Sequence, residues 1–337
     1  DGAHTATFTL KAGTVVVDAF EAISAAVNGA VDTHPIKDEL DAVGSPAASD
    51  YSAASWGIFA AARDAAQAAQ TGQPGLDTVG IGQIVQRLKD AYNALTPANV
   101  TDTQKDLGLS GAVTATDSLP ATVVIDGQSH AVTWSNASKG ATKAPYTTLT
   151  VSGWTKDAYV DGKQQLFTAK YEVVPAGLTY FIDSGVTSTQ ASPQYAAVAA
   201  LLPLLNSSAD QPSPNATSWG YVPSGINVKS GTNLADKYST GLWAGSGKPI
   251  QYRLPLEAGS YTLTAGFNEW WGVTRPMTES VTIGSTTVAG TPVNLTPGST
   301  AGGTVAFTLA EPATVTYTVA KGGSSDPVIS WLGVAKN

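Results

Sequence analysis

The chain has no cysteine, one methionine and three histidines in 337 residues. Disulfides, thiolate metal sites and thiol nucleophiles are therefore excluded. His4, His34 and His130 fall in separate segments, a spacing that offers neither a zinc site nor a Ser-His-Asp triad. Charge is also scarce: 13% of residues are charged, against roughly 25% in an average soluble protein. The net charge is -8 and no basic tract exceeds two residues, so nothing would offset the phosphates of a nucleic acid. No apolar run reaches the roughly 18 residues of a membrane span; the longest, Tyr195–Leu205, is interrupted by Pro203. Neither a G-x-S-x-G motif nor a phosphate loop occurs. The first residues, Asp1-Gly-Ala-His-Thr5, lack the basic region and apolar stretch of a signal peptide. The chain reads as a piece of something larger, with Ala6-Thr-Phe-Thr-Leu10 as the last strand of a preceding domain (1–12).

What the chain does have is Thr, Ser, Gly, Ala and Val, and hydrophobic patterns that change period along its length. Residues 13–97 read as helical. Val17, Phe20, Ile23 and Val27 mark one face, and Trp56, Phe59, Ala60 and Ala66 a second, capped by Ser49 or Asp50. Gly72-Gln-Pro-Gly75 stops that helix, and Ile84, Leu88, Tyr92 and Leu95 mark a third. Three antiparallel helices would bury these stripes together. Residues 98–118 lack hydrophobic periodicity. Beyond them, within 98–187, Asp126-Gly127 joins two alternating runs, a strong hairpin signal. Strands follow at Tyr146–Val151, Gln165–Val174 and Leu178–Asp183, with Trp134 and Trp154 as core residues of a small sandwich. Residues 188–337 begin with a short helix near Pro193–Leu205 and a polar loop. They then give regular strands punctuated by Gly and Pro, the pattern of a jelly-roll sandwich. The fold class expected is multidomain, α plus all-β.

The most telling segment is Gly259–Trp271. Tyr261, Leu263, Ala265 and Phe267 alternate with Thr262, Thr264 and Gly266, as in a half-buried strand. The run ends in Trp270-Trp271. Adjacent strand residues face opposite ways, so one core cannot hold both indoles. An exposed indole flanked by Asn268, Glu269 and Arg275 suits the apolar face of a sugar with hydroxyls at its rim. Trp243, in the loop-like Gly241–Gly247, is a second candidate platform, with Tyr238 and Asp236 nearby in sequence. Glu269 and Asp236 have a structural alternative, bonding backbone amides in their own loops. Tyr261, Phe267 and Trp331 read as core.

Three stretches resemble known modules. Asp50-Tyr-Ser-Ala-Ala-Ser-Trp56, with Leu88-Lys-Asp-Ala-Tyr-Asn-Ala-Leu95, resembles a FIVAR-type helical module. Leu119-Pro-Ala-Thr-Val123, Val132-Thr-Trp134 and Leu149-Thr-Val-Ser-Gly-Trp154 resemble a bacterial Ig-like domain of group 4. Asp236-Lys-Tyr-Ser-Thr240, Tyr252-Arg-Leu-Pro255, Gly259–Glu269 and Ser280-Val-Thr-Ile-Gly284 resemble a malectin-like, galactose-binding-type jelly roll, from which Trp270-Trp271 departs in size. This order is similar to the non-catalytic region of large exported bacterial glycoside hydrolases. The resemblance implies an extracellular or cell-surface location, a glycan partner, and a catalytic domain elsewhere in the same polypeptide. It implies no cofactor, although Asp236 could ligate a structural Ca²⁺ with backbone carbonyls, as jelly-roll modules often do. Two rivals are a structural stalk or adhesin segment, and a glycosidase with its site in the C-terminal half.

A glycosidase needs two carboxyl groups flanking the scissile bond. In the last 150 residues Glu257 and Glu311 fall in turns, and the other acids are scattered. The chain is expected to release no aryl group from a broad aryl-glycoside panel above the buffer rate. Release abolished by one Asp or Glu substitution would contradict this.

Overall fold

The computed structural model describes residues 32–71, 76–186, 191–229 and 235–337. The expected strand at 6–10, the helical face of Val17, Phe20, Ile23 and Val27, and the Gly72–Gly75 stop lie outside these. The chain divides into two compact units, one ending at Ala98 and the other Asn99–Asn337.

The first unit contains helices α1 (His34–Val43), α2 (Ala53–Gln70) and α3 (Thr78–Asn93). Ile36 and Val43 of α1, Phe59, Ala62, Ala66 and Ala69 of α2, and Ile81, Leu88 and Ala91 of α3 form one core. The cap of α2 is Ser52, three residues beyond the first expected position, because Ala48–Asp50 forms a separate 3-10 turn. Ser52 Oγ accepts the Ser55 N–H at 3.3 Å. Asp77 caps α3 through the Gly80 N–H at 2.7 Å. Tyr51 and Trp56 stack at 6.2 Å beside this core. No described helix is long and apolar enough to cross a membrane.

The second unit is β-rich. It begins with β1 (Lys105–Thr114), β2 (Thr122–Ile125), β3 (Gln128–Trp134), the short α4 (Asn136–Lys139), β4 (Thr148–Thr155) and β5 (Leu166–Val174). These strands pair along one path, β1-β5-β4-β3-β2, with β1 parallel to β5. Asp126 and Gly127 both have positive φ, 52° and 80°, as a two-residue hairpin of type I′ requires. Strand β1 lies where no periodicity is visible, because its register is broken on either side of Leu109 and Gly108 turns at φ 62°. Trp134 is in the core, whereas Trp154 is half-buried outside it. Trp154 sits opposite Thr133, one residue out of step with Trp134, so the two indoles face opposite ways.

The chain then passes through β6 (Leu178–Asp183), α5 (Pro193–Leu201), β7 (Gly220–Tyr221), β8 (Ile226–Lys229), β9 (Gly241–Ala244), β10 (Ile250–Leu256) and β11 (Gly259–Asn268). It ends with β12 (Arg275–Ile283), β13 (Thr286–Ala289), β14 (Val293–Leu295), β15 (Thr300–Leu309), β16 (Ala313–Lys321), β17 (Val328–Ile329) and β18 (Trp331–Lys336). One sheet runs β13-β12-β16-β10-β7 and another β15-β11-β18-β6. Their inner faces share the largest core, including Tyr252, Leu254, Leu263, Phe267, Val281, Tyr317 and Leu332. A three-stranded sheet, β17-β9-β8, lies beside them.

The placement of β6 corrects the expected boundary at 187. Leu178–Asp183 pairs with β18 rather than with the preceding strands. The earlier five-stranded sheet and the later sheets therefore share structure. Ala112, Val174, Leu178, Phe181, Val198 and Trp331 form a core between them. Within it the Lys237 ammonium is paired with the Glu172 carboxylate, both buried, and lies 4.8 Å from the centre of the Trp331 ring. It also donates to the Tyr146 carbonyl at 2.6 Å. The Tyr146 ring lies directly over Gly333, where a Cβ would collide with it.

Removing one member of a buried pair leaves a buried charge, at a cost of about 3–5 kcal/mol. Glu172→Ala is expected to lower the stability of the whole 99–337 unit by that amount, in one transition. Chemical denaturation followed by near-ultraviolet dichroism checks this, and two separate transitions would contradict it. Two buried acids set a pH dependence. Burial pushes the Asp210 carboxyl up to about 8 and Asp183 up to about 6. The Gly185 and Gln211 N–H groups, donating to Asp210 at 2.7 and 2.8 Å, offset this only in part. The folded state holds protons that the unfolded chain has released, so stability falls as pH rises from about 4 to about 8 and then levels. Thermal melts should show a lower midpoint at pH 8 than at pH 5.

Candidate functional site

Strand β9 has inward-facing Leu242 and Ala244, both fully buried, so period 2 turns Trp243 between them to the opposite face. Trp243 is half-buried and sits opposite Asn227 of β8 and Val328 of β17. The segment from Glu269 to Thr274 links β11 in one sheet to β12 in the other. The chain leaves β11 with the Glu269 N–H on the Ser299 carbonyl at 3.0 Å and bends at Gly272, φ 72°. The consecutive indoles separate across this bend. Trp270 packs against the core and over Gly241, whose missing Cβ makes room for its ring. Its Nε1 donates to the Tyr238 carbonyl at 3.3 Å. Trp271 points outward and is 45% exposed.

Trp243 and Trp271 meet edge to face at 5.9 Å and 68°. With Val273, Arg275, Ser324, Ser325 and Asp326 they line an open cleft of about 310 Å³. Val273, 39% exposed, adds apolar surface to its lining. Trp271 is held on several sides. Its ring lies 5.6 Å from Trp270, with the Arg275 guanidinium 5.3 Å and the Lys229 ammonium 5.7 Å from its centre.

Beneath the cleft lies a buried ion pair. Arg275 Nε donates to Glu269 Oε2 at 2.7 Å, and Arg275 Nη2 lies 3.4 Å from Oε1. Glu269 Oε1 also accepts the Trp271 N–H at 2.7 Å, and Arg275 Nη1 donates to the Asp326 carbonyl. Burial alone would raise the Glu269 carboxyl, but Arg275 and the backbone donors outweigh it and hold it below its usual value.

The sequence-derived site residues therefore divide. Trp271, Trp243 and Arg275 come together at the cleft. Glu269 does not face it: its carboxylate is wholly buried and committed to Arg275 and the Trp271 amide. Arg275 lines the floor, with three of its five N–H donors directed to Glu269 and Asp326. The expectation that Glu269 meets sugar hydroxyls does not fit this burial, while Arg275 keeps a place in the cleft lining. Trp270 and Asn268 are also inward or tied, since Asn268 Nδ2 donates to the Tyr238 carbonyl at 3.0 Å. Tyr238 packs edge-on against Trp331 at 6.1 Å. Asp236 caps its own turn, accepting the Tyr238 N–H at 2.8 Å. Among the described residues no group of three or more His, Asp or Glu is placed to hold a metal ion. The cleft residues missed from sequence are Ser324, Ser325 and Asp326. Their only signal is the polar run Gly322-Gly-Ser-Ser-Asp326 between two strands.

No family model matches the chain, and no curated protein matches it. Solved structures give partial likenesses. A calcium-binding mutant of Bacteroides uniformis β-glucuronidase 2 superposes with a TM-score of 0.33 at 14% identity, over 68% of this chain and 29% of that one. The plant receptor-like kinase ANX2 gives 0.33 at 11%, over 47% and 48%. The CBM22-1–GH10 modules of Clostridium thermocellum xylanase 10B, complexed with xylohexaose, give 0.28 at 12%, over 38% and 28%. The chain thus spans under a third of the length of the β-glucuronidase.

Glu269→Ala leaves Arg275 buried without its partner and frees the Trp271 amide. It is expected to cost about 3–5 kcal/mol of stability, and to shift Trp271 fluorescence to the red in a variant still folded at low temperature. Unchanged stability would show that the pair does not hold the loop.

Proposed function

We propose that this chain is a glycan-binding, non-catalytic region of a secreted or surface-bound bacterial glycoside hydrolase, and that Trp271 and Trp243 form the sugar platform. The observation that carries this is the cleft itself. A large indole, nearly half exposed, is fixed from below by a buried ion pair and set against a second indole. A rigid exposed aromatic contributes large contact area at little entropy cost, as the C–H face of a pyranose requires. The motif resemblances support the finer reading, in which a FIVAR-like helical module and an Ig-like domain space a malectin-like jelly roll from a catalytic domain elsewhere in the polypeptide. Binding would then act by raising the local concentration of substrate. The cleft's carboxylates support a non-catalytic role: Glu269 is locked in its ion pair, leaving Asp326 as the accessible acid lining it. A structural Ca²⁺ held by Asp236 with backbone carbonyls would sit beside the turn in which that carboxylate's Oδ1 accepts from Tyr238 N–H and Ser239 Oγ.

The test is a glycan array on the full chain, followed by calorimetry on each hit. Trp271→Ala is expected to weaken binding about 5–150-fold, the equivalent of roughly 1–3 kcal/mol, with an unchanged melting temperature. Trp243→Ala should weaken it less, because that ring is more buried. Failure to bind any glycan would favour the stalk or adhesin reading.

A further inference from the structure

The polar groups around the cleft carry information about its ligand that the indoles alone do not. Arg275 is neutralised by Glu269, so this cation adds no net charge to the floor. Asp326 differs. Its backbone carbonyl is taken by Arg275, but its carboxylate makes no hydrogen bond or ion pair among the described residues, and it lines the cleft. Ser325 Oγ is tied to the Thr274 carbonyl at 3.0 Å, whereas Ser324 is exposed with no such tie. Lys229 stands on the Trp271 ring at the rim, with no carboxylate paired to it among the described residues.

Each charge sign meets an obstacle here. An anionic ligand resting on Trp271 would bring its charge into the same small cleft as the Asp326 carboxylate, and like charges repel most where water is partly excluded. A cationic ligand would compete for an indole already flanked by the guanidinium of Arg275 and the ammonium of Lys229. A neutral polyol meets neither. Its C–H face can lie on Trp271 while hydroxyls donate to the two acceptor oxygens of Asp326, a charge-assisted bond of the stronger kind. Size adds a second restriction. At about 310 Å³ the cleft lies at the bottom of the range of roughly 300–1,000 Å³ for small-molecule pockets, room for one ring rather than several.

Building on the glycan-binding reading above, we infer that the cleft is selective for a single neutral sugar ring, with Asp326 as the hydroxyl acceptor that excludes uronic acids. Asp326 is thus the specificity-determining residue, and Trp271 the affinity platform.

The experiment titrates the full chain by calorimetry with a set of neutral methyl glycosides and with the sodium salts of the matching hexuronic acids. At least one neutral glycoside is expected to bind, about tenfold or more tighter than its uronate. Its affinity should hold steady between low salt and about 0.5 M, because no net charge is transferred. A trisaccharide of the same sugar should bind within about threefold of the monomer. Asp326→Ala should weaken the neutral ligand about tenfold at an unchanged melting temperature. Asp326→Asn should narrow the gap between neutral sugar and uronate, an effect that a merely structural role would not produce. Uronates binding as well as neutral sugars, with the affinity lost in Lys229→Ala, would overturn the neutral selectivity and leave glycan binding intact. Normal neutral binding by Asp326→Ala would overturn the role of Asp326. A trisaccharide about tenfold tighter than the monomer would overturn the single-ring limit. No binding by any neutral glycoside or uronate, with no hit on a glycan array, would remove the glycan reading itself and this inference with it.

Discussion

The cleft depends on one buried ion pair. Glu269 and Arg275 are six residues apart, at the end of β11 and the start of β12, and they close the link between two sheets. One carboxylate holds the Trp271 amide, and the guanidinium holds the Asp326 carbonyl. Both walls of the cleft are therefore tied to the same pair. A buried pair of this kind costs desolvation and adds little net stability over an apolar alternative. Its contribution here is geometric. It holds an exposed indole and a distant loop in one arrangement before any ligand arrives, so little ordering entropy remains to oppose binding. Two further features fix that arrangement: the bend at Gly272 and the space above Gly241 that Trp270 fills.

A second buried pair, Lys237 with Glu172, has a different role. It lies where the strands of 99–174 meet the later sandwich, beside Tyr146 and Trp331. With β6 paired to β18, it makes the whole of 99–337 one compact unit. A cleft carried on such a unit cannot swing freely against the strands that precede it. The direction in which the cleft faces is therefore fixed relative to those strands.

Sequence pattern revealed those parts of the fold that local physics decides. Asp126-Gly127 showed its hairpin because positive φ at two successive residues leaves few alternatives. The alternation from Tyr261 to Phe267 showed β11 because one face is buried throughout. The outward indole followed from two adjacent tryptophans that cannot share a face. Pattern failed where long-range pairing decides. Strand β1 is bulged and parallel to a strand some sixty residues away, so its own period carries no signal. The sheet to which Leu178–Asp183 belongs is set by a partner strand about 150 residues later. The exposed indole was legible and the partners of the polar residues beside it were not. Glu269 and Arg275 have the composition of a sugar-binding rim, and only burial shows that they bind each other. Asp326 lies some fifty residues from Trp271 in sequence and reaches the cleft only because β16 and β17 bracket its loop.

The most direct measurement is the set of indole N–H resonances in a spectrum of the full chain, assigned by single Trp→Phe variants. The chain has eight tryptophans, which sample both units and both ends of the later sandwich. On titration with a neutral glycan that binds, the account predicts that the Trp271 and Trp243 signals move together, while those of Trp56, Trp134 and Trp331 stay fixed. Movement confined to Trp219, which lines a different groove beside Pro255 and Pro312, would contradict it.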